Sequence, residues 1–383
     1  MEKSARIAKA LIYLLASHIG GKAEPLAPGV LAEEVFSLAK VHGLGAICAS
    51  ALDKIGASFE KSKEYKARSI RKIMLMDAER AAICSALSTE GISHIPLKGV
   101  LIKELYPSIG DREMSDNDIL IDPTRREEVR SIFLSRGYEI KSFGGAHDDV
   151  YMKAPVYNFE MHVNLFTENE SPEFSKYFSD AFEKSIRENG GARRLSPEDF
   201  YLYITAHEYK HFSRGGTGLR SLLDAYLFLD ANPELDTEKV RAGLSALGIE
   251  EYERARTSLA KKLFCAESAR ALALGELSLS EKEEKMLSYI IGSGVYGTEK
   301  NRVENEVGRA SGGGSRARYV FRRLFPPAEW YKDNAPFVYK HRVLVPFYLI
   351  KRAFVKIILS PRKIIRELKL VKGTKGKENG VSR

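Results

Sequence analysis

Asp116 and Asp118 carry the chemistry most visible in this sequence. They stand two residues apart in SDNDILI (115–121). In a strand alternate side chains share a face, so both carboxylates would point one way with Leu120, while Asn117, Ile119 and Ile121 point the other. Two acids at a strand entrance form strands poorly and repel each other, a cost that a divalent cation between them would relieve. Hard oxygen ligands of this kind suit Mg²⁺, which keeps several waters and is usually completed by substrate phosphates. A plain turn before a strand would also account for Asp116. A third acid, Glu160, lies in the strand-like run VYNFEMHVNLF (156–166), on one face with Asn158, His162 and Asn164. That wholly polar face is either a solvent-facing sheet surface or part of the same site.

A competing constellation is HEYKH at 207–211, which matches the H-E-x-x-H pattern. On a helix it puts two imidazoles on one face for zinc, with the glutamate as general base. Lys210 sits beside the second ligand position, and no H-x-x-G-x-x-H continuation follows. Asp224 is the available third ligand. The stronger expectation is that His207 and His211 line a cleft or pack against the strand unit.

These residues must be positioned by surrounding elements. Apolar residues at three- and four-residue spacing predict helices through residues 1–90, including a long one from Phe59 to Thr89. From Ile92 short apolar runs alternate with helix: SHIPL, a helix from Val100 to Leu105, the NDILI strand, a helix over 124–136, then strands in DVYMKA and VYNFEMHVNLF. Asp122 followed by Pro123 reads as N-cap and first helical residue. From Ser196 the chain returns to helix, through PEDFYLYITAHEYKHF and LRSLLDAYLFL. SGGGS (311–315) reads as a loop, since no strand precedes it and no GKS or GKT ends it. The expected fold is α+β: a small mixed sheet flanked by N-terminal helices and a larger C-terminal helical region. Its parts would be residues 1–90 (helical), 91–190 (α/β core), 191–345 (helices closing the cleft) and 346–383 (a basic amphipathic tail).

Composition agrees with a folded protein. Of 383 residues 44% are hydrophobic, 29% charged and 10% aromatic, which excludes a dominantly disordered or fibrous chain. The net charge of +9 resides entirely in residues 351–383, where eleven Lys and Arg face two Asp and Glu. The balanced first 350 residues give no case for nucleic-acid binding. If one helix continued through the tail, Lys351, Arg352, Lys356, Arg362, Lys363, Arg366 and Lys369 would share about 140° of arc opposite Phe354, Ile357 and Ile358, with Pro361 as a break point. That arrangement fits an anionic membrane surface or an acidic partner, or simply a packed helix with a solvated basic face. The widely spaced Cys48, Cys84 and Cys265 read as reduced and buried. The N-terminus reads as a packed helix rather than a signal peptide, and no window is apolar enough to span a bilayer. A cytoplasmic protein is expected, with a peripheral position at the inner membrane face as an option.

Taken together, LKG (97–99), LYP (105–107), Arg112, SDNDILI, RGY (136–138) and EMH (160–162) resemble the uncharacterised nucleotidyltransferase family of the DNA-polymerase-β-type superfamily. HEYKHF with LLDAYLFL (222–229), then RLFPPAEWY (323–331) and FYLIKR (347–352), are similar to its downstream helical region, so the resemblance covers most of the chain after about residue 60. It implies a site in which Asp116, Asp118 and Glu160 hold two Mg²⁺ ions and an NTP donates its nucleoside monophosphate to a hydroxyl of a small molecule, glycan precursor or protein. Lys98, Gly99, Arg112 and His162 would form the nucleotide-binding set: Gly99 for close backbone approach, Lys98 and Arg112 against phosphate charge. The chain departs from the superfamily in lacking a Gly-Gly or Gly-Ser turn just before the aspartates, Gly99 lying seventeen residues ahead of Asp116. Lys98 or Arg112 would have to compensate. The alternative is a catalytically silent nucleotide- or ligand-binding protein of the same fold. Carboxylates converging on a common point would favour the metal site, and a salt-bridged arrangement the silent one.

Overall fold

The computed structural model describes residues 2–22, 24–309, 315–326, 330–331, 335–359, 366 and 369–371. Helices α1 (Glu2–Ile19), α2 (Ala32–Val41), α3 (Gly45–Lys54) and α4 (Glu60–Thr89) open the chain, as their apolar spacing predicts. A sheet follows, built from β1 (His94–Pro96), β2 (Asn117–Ile121), β3 (Glu139–Ser142), β4 (Asp148–Lys153) and β5 (Tyr157–His162) in the order β1-β2-β5-β4-β3. Between its strands lie the short α5 (Gly99–Ile102), continued by a 3-10 turn to Leu105, and α6 (Arg126–Ser135). Asp122 caps the 3-10 turn ahead of α6, its carboxylate accepting from the Thr124 N–H at 2.9 Å and the hydroxyl at 2.6 Å.

The sheet is mixed. β2 and β5 run parallel, joined through α6, β3 and β4, whereas β1 pairs antiparallel with β2 and β4 antiparallel with β5. Strand β3 is not evident from the sequence pattern, because Glu139, Lys141 and Ser142 leave it exposed at the sheet edge, where no apolar alternation is required. Strand β5 ends at His162, so Asn164 lies outside the polar face expected for that run.

After α7 (Pro172–Tyr177), α8 (Ala181–Lys184) and the small hairpin of β6 (Ile186–Arg187) and β7 (Arg193–Arg194), the chain is helical: α9 (Pro197–Arg214), α10 (Leu219–Ala231), α11 (Thr237–Leu247), α12 (Glu250–Phe264), α13 (Ala266–Leu274), α14 (Glu281–Ser293), α15 (Glu299–Arg309), α16 (Ser315–Leu324), α17 (Pro336–Lys340) and α18 (Val345–Leu359). Ser196 starts α9 by accepting from the Asp199 N–H, with Pro197 at the first position, a cap contributing about 1 kcal/mol.

Two hydrophobic layers hold the sheet. On one face Ile119, Ile121, Phe159 and Met161 pack with Ile83 and Leu87 of α4 and Phe133 of α6. On the other, Leu120 and Ile95 join a core that runs through α1–α3 and α9–α12. The alternation read from NDILI is thus realised, although both of its faces are buried. Cys48 is buried as expected, whereas Cys84 of α4 and Cys265, at the junction of α12 and α13, are half-buried. Residues 311–314 of the SGGGS loop, and most of the tail beyond Leu359, lie outside the described residues.

Candidate active site

The parallel pairing of β2 with β5 sets Asp118 opposite Glu160 and Leu120 opposite His162. Because Leu120 joins the core shared with α9, the Asp118, Glu160 and His162 side chains look the same way, towards α9. Ligand atoms of these three residues lie within 4.8 Å of one another. Asp118 Oδ1 accepts from His162 Nε2 at 2.8 Å and from Lys98 Nζ at 2.7 Å, and His162 Nε2 lies 3.9 Å from Glu160 Oε2. Asp116 precedes the strand by one residue and is half-buried. Among the described residues no Lys or Arg pairs with Asp116 or Glu160 within 4 Å.

Lys98 reaches Asp118 from the turn between β1 and α5, and it is the non-glycine residue with positive φ (48°) among those described. That conformation costs of the order of 1–3 kcal/mol and persists only where surroundings enforce it. Residue type alone points to Gly99 as the site of special backbone. The structure gives that conformation to Lys98 instead, while a Cβ on Gly99 would stand 2.4 Å from Arg112 Nη1. Gly99 therefore makes room for a guanidinium. Arg112 is itself held by α10: its Nε and Nη2 donate to the two oxygens of Asp224 at 2.9 and 2.8 Å, and the Tyr106 hydroxyl donates to Asp224 Oδ1 at 2.7 Å. In this arrangement Arg112 braces the loop ahead of Asp116 instead of presenting an open fork for phosphate. Asp224, the available third zinc ligand by sequence, is occupied by the same brace.

Helix α9 forms the opposite wall. Positions 203, 207 and 211 follow one another at i, i+4 spacing, with Lys210 and Arg214 beside them. The His207 and His211 Nε2 atoms are 3.4 Å apart. Glu208, one residue on, points elsewhere: it accepts from Arg256 Nη1 at 2.7 Å and from the Tyr252 hydroxyl at 2.9 Å. The glutamate that a zinc protease would need as base is thus bound into the packing of α9 on α12, and the one cluster of three metal-capable side chains found among the described residues excludes both histidines. The zinc reading fails on these two grounds. Sequence reasoning did not find His147, whose ring packs edge-on against His162 at 4.9 Å, or Glu170, which accepts from Lys210 Nζ at 2.9 Å. Both lie on loops. Lys210 was legible in principle, since it shares the helical face of His207 and His211.

The electrostatics divide the carboxylates. Burial pushes Glu160 up to about 7 and Asp116 up to about 6, and in each case the charge of Asp118 adds to the shift. Burial acts on Asp118 in the same sense, but the Lys98 ammonium and the hydrogen bond from His162 outweigh it and hold the group below the ordinary carboxylate range. On the helix wall burial pushes His207 well below its ordinary value, aided by the Lys98 and Lys210 charges, and brings His211 to about 4. His147 falls to about 4 for the same first reason, with His162 second. The site thus opposes an acidic floor to a helix face of neutral imidazoles and Lys210. The donor set fits a divalent cation. Two carboxyls forced up by burial and by a neighbouring anion are groups whose ionisation an added cation would favour; of the three expected ligands Asp118 and Glu160 bring hard oxygens into the cluster, His162 takes its third place, and Asp116 lies outside it.

Residues 28–265 match the family model described as uncharacterised nucleotidyltransferase. No curated protein matches the chain. Among solved structures, the chain is similar to the crystal structure of an antigenic nucleotidyltransferase-like protein from Paracoccidioides brasiliensis, at 16% identity and a TM-score of 0.30, over 48% of this chain and 89% of that one. The family match contains every sheet strand and the facing wall of α9, and ends before the RLFPPAEWY and FYLIKR segments.

Proposed function

We propose, from the premise that this chain belongs to the uncharacterised nucleotidyltransferase family, that it is a Mg²⁺-dependent enzyme moving a nucleoside monophosphate from an NTP to a hydroxyl of a small molecule, glycan precursor or protein. The observation that carries the reading is the strand register. Asp118 and Glu160 face each other across a parallel pair, aimed at a wall of Lys and His, with Asp116 one residue before the strand. Asp116, Asp118 and Glu160 would hold the metal. Bound there, Mg²⁺ would neutralise phosphate charge and lower the barrier to in-line displacement.

In that reaction a bond forms between the acceptor oxygen and the α-phosphorus, the bond from that phosphorus to the pyrophosphate oxygen breaks, and pyrophosphate leaves. The hydroxyl proton passes to solvent beside Glu160, whose carboxylate the bound cation would keep ionised and which would help to activate the hydroxyl. His162 fixes the orientation of Asp118 through the 2.8 Å bond from Nε2. Lys98 would be available to a phosphate oxygen in place of Asp118, and His207, His211 and Lys210 would supply donors along the opposite wall.

A second reading draws on one observation, the 2.7 Å bond from Lys98 to Asp118. An ammonium in the place of a cation suits a protein that binds nucleotide without turning it over. Metal-dependent pyrophosphate release from NTPs, with Asp118→Ala as the control, separates the two. Release abolished by the substitution supports transfer. A thermal shift with Mg²⁺ and NTP but no release supports the silent binder, and neither response refutes both.

A further inference from the structure

Helix α18 has one partnered side. Val345, Tyr348 and Leu349 pack against Tyr331, Ala335 and Val338, and the Arg352 guanidinium stacks on Trp330 at 4.4 Å. The other side bears Phe347, Ile350, Phe354 and Ile358, each between 64% and 70% exposed. At 100° per residue these four fall within about 80° of arc, a continuous apolar stripe along three turns. The stripe is not an isolated excess. The exposed phenylalanines among the described residues are Phe321, Phe325, Phe337, Phe347 and Phe354, all in the C-terminal part.

The charge is partitioned in the same way. Residues 315–383 hold eighteen Lys and Arg against four Asp and Glu, a net +14 that leaves residues 1–314 at −5. Lys351 is exposed beside the stripe. The end of the chain does not cover the stripe where it is described. Arg366 pairs with Glu299, and Leu370 and Val371 pack against Val303, Val307 and Tyr319 on α15 and α16. No helix among the described residues is long and apolar enough to cross a bilayer, so this surface has the character of one that lies on a membrane and not of one that spans it.

We infer that helix α18 is a peripheral membrane-binding element. The α18 stripe enters the headgroup boundary of an anionic bilayer and the exposed Lys340, Arg342 and Lys351 hold the phosphates. Aromatic and aliphatic side chains supply burial, and the basic charges supply attraction that salt screens. The inference is independent of any activity in the cleft.

Co-sedimentation of the full-length protein with vesicles tests it. Vesicles of phosphatidylcholine mixed with phosphatidylglycerol should bind the protein at low salt and release it at high salt, and pure phosphatidylcholine should bind it far less. Phe347→Ser with Phe354→Ser should weaken partitioning by about tenfold or more, and Lys340→Gln with Arg342→Gln and Lys351→Gln by about a hundredfold at low salt. Both phenylalanines are exposed, so an unchanged thermal midpoint shows that the variant still folds. Absence of binding to the anionic vesicles overturns the inference. So does binding that the phenylalanine substitutions leave intact, which would mean charge alone. A dimer that dissociates on those substitutions likewise overturns it, by making the stripe a contact between two copies.

Discussion

At the scale of single residues, the site is a set of carboxylates whose protonation differs by position. Glu160 at about 7 and Asp116 at about 6 are protonated in the folded, metal-free protein at pH values where the unfolded chain is already ionised. A raised carboxyl favours the folded state at low pH, and that contribution is lost as pH climbs from the unfolded value near 4 through the folded value. Metal must displace these protons below pH 7 and need not above it. Mg²⁺ affinity, measured by calorimetry, should therefore rise about tenfold or more between pH 6 and pH 8. An affinity flat across that range would mean that neither group ligates. Lys98 gives a second test. Removing its ammonium leaves Asp118 buried and paired only with His162, so Lys98→Met should lower metal-free stability by about 2 kcal/mol, and Mg²⁺ should restore part of the loss. Denaturant titration with and without metal reads this directly.

At the scale of elements, α9 does two jobs with opposite faces. The face bearing Tyr203, His207 and His211 looks onto the sheet, while Glu208 ties the helix to Arg256 of α12 deep in the core. Arg256 is 1% exposed, so Glu208→Ala strands a buried guanidinium and should cost about 3–5 kcal/mol in chemical denaturation. Zinc content should not change with His207→Ala, whereas an H-E-x-x-H site would lose a ligand and its metal. The positions of the histidines were legible from i, i+4 spacing, but the role of the glutamate was not, because it depends on a helix about fifty residues downstream. The strands show the same boundary. NDILI announced itself by alternation, whereas β3, an edge strand with three polar residues out of four, had no apolar pattern to read.

At the scale of the whole molecule, one core spans the N-terminal helices, one sheet face and the helices from α9 to α12, while the aromatic cluster around Tyr331 and Val338 stands apart from it. The protein's one tryptophan, Trp330, belongs to that separate cluster. Small clusters with few buried side chains open first on heating. Tryptophan fluorescence should accordingly report a midpoint below that of the far-ultraviolet dichroism, which tracks the helices of the main core. Coincident transitions would show that the C-terminal part unfolds with the rest.

The sequence by itself determined the features set by local period and residue type: the helices, the NDILI and EMH strands, the pairing of Asp116 with Asp118, and the concentration of charge near the C-terminus. Register belongs to the tertiary structure, since α6, β3 and β4 separate β2 from β5 along the chain, and their pairing sets Glu160 opposite Asp118. Partner choice does too. Lys98 on Asp118, Arg112 on Asp224 and Glu208 on Arg256 each join side chains at least twenty residues apart, and no one-dimensional pattern encodes which charge meets which. Local periodicity is fixed by the geometry of one helix or strand, whereas a buried ion pair is fixed by the packing of several.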